Sequence, residues 1–174
     1  MRKILVVLFL TVAMVFAIGG LTIAAPVTAG EAGSVFAFGE YAPGILFAPV
    51  NCFTVGVGYS VSDSLALGTE VQLIEGEMLF GGFAGLSLDA ISVNGEFLYF
   101  DSTILGKVAG LYSFDLDPVK VGVGGGAFLL PGESAFFLEG SASMAAGDNL
   151  SIYGSLDYIF DAWTTFKAGA VISF

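Results

Sequence analysis

Six charged side chains sit within segments that otherwise carry no charge: Glu70, Glu96, Lys107, Glu139, Asp157 and Lys167. Such groups could do three kinds of chemistry. Paired carboxylates can move protons to and from a substrate. Opposite charges can lock a packed interior. A ring of charge can select ions along a narrow path. Other reactive types are scarce. Histidine is absent from the chain, which removes the commonest general base and metal ligand. Cys52 is the single cysteine, so neither a disulfide framework nor a cysteine zinc site is available. The run Gly122-Val123-Gly124-Gly125-Gly126 superficially resembles a phosphate loop, but no helix start follows it and no Walker lysine is present. No cofactor and no metal are therefore expected.

The elements that must position these charges are strands. Hydrophobic residues make up 56% of the chain and charged residues only 12%, too apolar for a typical soluble domain and too apolar for disorder. From residue 33 onward the chain reads as ten alternating segments: 33–41, 51–62, 64–74, 79–89, 90–100, 103–112, 119–129, 134–145, 149–160 and 163–174. Segments of ~9–11 residues are what a tilted strand needs to cross a bilayer core. In the last of them Phe166, Ala168, Ala170, Ile172 and Phe174 share one face, and Lys167, Gly169, Val171 and Ser173 the other. The expected fold is all-β, a transmembrane antiparallel up-and-down β-barrel of about ten strands, with eight as the alternative.

The front of the chain reads differently. Arg2 and Lys3 precede an uncharged run from Ile4 to Ile18, then Gly19-Gly20 and Val27-Thr28-Ala29. This is the pattern of a cleavable signal peptide, so residues 1–29 are assigned to it and residues 30–174 to the barrel. An uncleaved membrane anchor is the bland alternative. After cleavage Lys107, Lys120 and Lys167 stand against 16 acidic residues, which argues against nucleic acid as a partner.

Alternation points all three of these lysines inward, and tight turns give an approximate register. A two-residue Asp101-Ser102 turn sets Glu96 opposite Lys107. A turn centred on Ala162 sets Asp157 opposite Lys167, and pairing Ala145 with Ser151 sets Glu139 beside Asp157. Pairing Leu130 with Glu133 sets Glu139 opposite Gly124. Parity permits Lys107 opposite Gly124, and Phe83 can join Glu96 to Glu70. The expectation is an inward belt of Glu70, Phe83, Glu96, Lys107, Gly124, Glu139, Asp157 and Lys167. In lipid each mid-strand lysine would cost about 2–4 kcal/mol, so these charges belong inside. Inward glycines either make room for large neighbours such as Phe128, Phe137 and Tyr153 or leave a narrow lumen.

An even strand number puts both termini at one end, expected to be periplasmic. Stretches 42–50, 75–78, Asp101-Ser102, 130–133 and Asp161-Ala162 then form short outer loops, which argues against an adhesin or receptor. Outward aromatics gather at strand ends: Phe53, Phe80, Tyr99, Tyr158, Phe160 and Phe166 at one rim, Tyr59, Tyr112 and Phe174 at the other. Two such girdles mark two membrane interfaces.

On these residues the chain resembles the small outer-membrane β-barrel proteins of diderm bacteria. The resemblance covers the whole region after the leader. It implies an outer-membrane location and membrane lipid as surroundings. It also implies that Phe174, Ile172 and Phe166, with Ala168 and Ala170 between them, form the signal read by the barrel-assembly machinery. Architecture is specified better than function. A barrel with a filled, ion-paired lumen and a structural or envelope role is expected. A narrow, cation-leaning channel for small solutes is the alternative. An enzyme is not expected, because barrel enzymes generally use a histidine and the Glu139–Asp157 dyad is flanked by Lys167. A secreted soluble β-sandwich is the runner-up fold.

Overall fold

Residues that alternate this strictly leave one face of a sheet to be buried, and here the sheet buries it by closing on itself. The structure, a computed structural model, describes residues 31–45, 48–160 and 164–174. The proposed leader, residues 1–29, and the Asp161-Ala162 turn lie outside them. Ten strands follow in order: β1 Val35–Ile45, β2 Ala48–Ser62, β3 Leu65–Ile74, β4 Glu77–Leu88, β5 Ile91–Phe100, β6 Thr103–Leu116, β7 Val119–Leu130, β8 Glu133–Ala145, β9 Leu150–Ile159 and β10 Thr164–Ser173. Each pairs antiparallel with the next, and β10 pairs with β1 to close the barrel. At the seam Phe36 faces Ser173 and Tyr41 faces Ala168.

Turn chemistry explains the short hairpins. Glu75-Gly76 and Asp101-Ser102 each put two successive residues at positive φ (50° and 92°; 41° and 66°), the geometry that matches strand twist in a two-residue connection. Pro131-Gly132 uses the fixed φ of proline followed by Gly132 at φ 86°.

Two expected loops are shorter than read. The stretch 42–50 is mostly strand, with β1 and β2 paired as far as Ile45↔Ala48 across a register shift between Pro43 and Ile45. Pro43 and Pro49 made it look like a loop, but proline is tolerated in a sheet where the ladder is already irregular. Similarly β6 runs to Leu116, which faces Val119, so the connection shrinks to Asp117-Pro118. Ser113, Phe114, Asp115 and Leu116 keep the alternation going.

The two faces of the wall differ completely in charge. Every Asp, Glu and Lys within a described strand occupies an inward-parity position, and the outward face of those strands carries none. Instead it exposes Val55, Val57, Phe97, Val108, Val123, Leu138 and many like them. Apolar surface of that extent is foreign to a water-facing monomer. Of the outward aromatics, Tyr41 and Phe53 lie tilted with ring centres 4.8 Å apart, and Tyr158 stands edge-on to Phe160 at 5.6 Å.

Candidate functional site

The lumen is filled in layers. Toward the end opposite the termini, Leu79, Leu98, Ala109, Phe128, Phe137 and Ile159 pack together. Toward the terminal end, Phe36, Phe38, Ala66, Phe83 and Tyr153 form a second cluster. Their rings lie where inward glycines leave no side chain: a Cβ on Gly56 would run into Phe38, on Gly58 into Phe36, on Gly68 into Phe83, and on Gly169 into Tyr153. Of the two readings of inward glycine, room for large neighbours holds at these positions. Phe128 and Phe137 stack at 4.8 Å above Lys107, whose ammonium is 4.7 Å from the Phe137 ring centre.

Between the two clusters lies the charged layer. Glu70, Glu96, Lys107, Glu139, Asp157 and Lys167 are all buried. Lys107 stands opposite Glu96 in the ladder, as expected. Its stem crosses the lumen, and Nζ lies 3.5 Å from Glu139 Oε2 and 3.4 Å from Asp157 Oδ2. Lys167 Nζ lies 3.8 Å from the same Asp157 oxygen. Glu139 faces Gly124 and Asp157 across its two ladders, also as expected.

Three register expectations need correction. Asp157 faces Thr165, and Lys167 faces Ser155, two residues away from the expected register. A two-residue slip preserves the face, which is why Lys167 still reaches Asp157 diagonally. Lys107 faces Phe128 rather than Gly124, because the 113–118 connection is tighter than read. Phe83 does face Glu96, but Glu70 faces Gly81. The link between the two carboxylates is instead Gln72, whose Nε2 donates to Glu70 Oε1 and to Glu96 Oε1, both at 3.3 Å.

Two members of the layer were missed. Glu40 on β1 is 5% exposed, and its Oε2 accepts from the Tyr153 hydroxyl at 3.1 Å. The first segment has two apolar faces, which hid its direction; the mid-strand charge itself was the available signal. Gln72 escaped because a neutral amide carries no charge to mark it out from the other polar residues of its strand. Cys52 is buried beside this amide, its thiol 3.6 Å from Gln72 Oε1.

Five buried carboxylates thus share the layer with two lysines. Among the described residues, no donor group of another kind reaches Glu70 Oε2, Glu96 Oε2 or Asp157 Oδ1, and the Glu70 and Glu96 carboxyls lie side by side. Among the described residues no group of three His, Cys, Asp or Glu is placed to hold a metal ion. The expected girdle and terminal residues lie outside this layer. Phe53, Tyr59, Tyr99, Tyr112, Tyr158 and Phe160 point outward, as do Ile172 and Phe174. Phe166 shares their face and is half-buried.

No protein-family model matches this chain. No curated protein matches it either. Among solved structures, one described as "De novo design of transmembrane beta-barrels" is similar at 14% identity and a TM-score of 0.45, covering 84% of this chain and 99% of that one.

Proposed function

We propose that the chain is an integral outer-membrane β-barrel whose lumen is closed by an ion-paired core, serving a structural or envelope role without catalysis. The observation that carries this reading is Lys107, which reaches from β6 across the lumen to Glu139 and Asp157 on β8 and β9. With apolar clusters packed on both sides of it, the side chain is a strut rather than the lining of a path. The membrane part of the reading rests on an outward face without charge, since a lysine at mid-bilayer would cost about 2–4 kcal/mol and a carboxylate somewhat less. Export through residues 1–29 and assembly through the terminal Phe166, Ile172 and Phe174 belong to the same proposal. So do membrane lipid and the barrel-assembly machinery as partners.

Expression of the full chain in a diderm host tests it. The barrel should fractionate with outer membranes, resist extraction by carbonate, and migrate faster on gels unless boiled. Recovery in the soluble periplasmic fraction would overturn the membrane reading.

A second reading has a specific observation behind it. The excess of buried carboxylates, and an Asp157 Oδ1 that no donor of the described residues reaches, are what a narrow, cation-leaning path for small solutes would present. It predicts stepwise cation currents that change in Glu139→Gln or Lys167→Ala.

A further inference from the structure

The charges that do not lie inside the barrel are gathered on its two rims, and they are nearly all of one sign. At the end opposite the termini, Glu75, Glu77, Asp101 and Glu133 are exposed, and among the described residues no lysine or arginine accompanies them. At the terminal end Asp63, Asp89, Asp117 and Asp148 are exposed on the turns. The exposed lysine there, Lys120, stands directly opposite Asp115 in the β6–β7 ladder. Lys107 and Lys167 are spent on the lumen and cannot reach either surface. The aromatic girdles and the uncharged outward face bring both rims level with the lipid headgroups. A cationic rim would be drawn to anionic headgroups within about a Debye length of the surface. This barrel has the reverse charge at both ends.

We propose that the rims fit a net-neutral lipid surface and disfavour an anionic one, so that zwitterionic phospholipid is the preferred surrounding of this barrel. The inference rests on the membrane reading above and adds the headgroup class to it. The hairpins bearing Glu75, Asp101 and Glu133 must pass the headgroups as the barrel inserts, so the preference acts on folding as well as on the folded state.

The test is refolding of the urea-unfolded chain into vesicles of phosphatidylcholine, or of phosphatidylcholine mixed equally with phosphatidylglycerol, followed by the heat-modifiable gel band. Folding should be several-fold slower in the anionic vesicles at low salt, and high salt should close the gap. The combined rim variant Glu75→Gln, Glu77→Gln, Asp101→Asn and Glu133→Gln should narrow it as well. Equal or faster folding in the anionic vesicles would overturn the proposal. A gap that is unchanged in the rim variant would overturn it too, since the headgroup effect would then not come from these residues. Failure to fold into either vesicle would overturn the membrane reading itself, and this inference with it.

Discussion

Lys107 and Asp157 meet across the lumen at 3.4 Å although their strands stand three places apart around the barrel. The nearer carboxylate in the ladder, Glu96, is the one directly opposite Lys107. A lysine that crosses to the far wall ties β6 to β8 and β9 through the interior, in addition to the hydrogen bonds that join neighbours through the wall. A tie of this kind explains how so small a barrel tolerates its buried charges: the Lys107 ammonium serves two carboxylates, and Asp157 is shared by both lysines.

Loss of this tie should be expensive. Lys107→Met keeps the stem's bulk and removes its charge, leaving Glu139 and Asp157 buried without it. Breaking a buried pair in this way costs about 3–5 kcal/mol. Urea unfolding of the lipid-embedded barrel measures it, and Lys107→Met combined with Glu139→Gln should cost less than the two changes summed. Strict additivity would show that the two side chains do not act together.

The glycines opposite aromatic rings should be intolerant of any side chain. Gly58→Val would collide with the Phe36 ring, and overpacking of that sort costs about 1–3 kcal/mol. Phe36→Leu in the same chain should restore much of the loss. Gly140→Ala is the matched control, because its added methyl meets nothing within 4 Å. Unfolding midpoints in the same lipid decide between them.

Charge on the outside should be penalised by lipid alone. Val55 is 60% exposed near the middle of β2, so Val55→Lys should destabilise the barrel by about 2–4 kcal/mol in vesicles. If water bathed that face, the same change would stay within about 0.5 kcal/mol. Comparing the unfolding free energies of the two chains distinguishes these environments.

Removal of Phe174 should impair assembly in cells more than stability afterwards. Its backbone N–H donates to Val35 O at 2.8 Å, a single bond at the end of the seam. Deletion should leave a larger share of the chain unassembled in the periplasm, while protein refolded in vitro keeps most of its stability. Unchanged outer-membrane assembly would count against the terminal signal.

The faces of the strands were legible because side-chain parity has a period of two and every hydrophobic residue votes on it. That is why alternation alone points Lys107 and Lys167 inward, and why the carboxylates that the turns set beside them, Glu70, Glu96, Glu139 and Asp157, fall on the same face. Register was legible only where a turn announced its own length, as at Asp101-Ser102. At 113–118 the register was open by four residues and after β9 by two, even changes that leave parity untouched and move every cross-strand partner. Thus Lys107 gained Phe128 in place of Gly124, and Asp157 gained Thr165 in place of Lys167. The crossing of Lys107 to Asp157 was beyond sequence altogether, since it depends on the width of the closed barrel and not on any ladder.

A lumen closed by Lys107 and the two apolar clusters should pass no ions, and conductance measures this. Purified barrel incorporated into planar lipid bilayers, with insertion verified by the heat-modifiable band, should give no stepwise current across the voltage range the membrane withstands. Steady, cation-selective steps from the unmodified protein would mean that an open path runs past Lys107 and that the lumen is not closed.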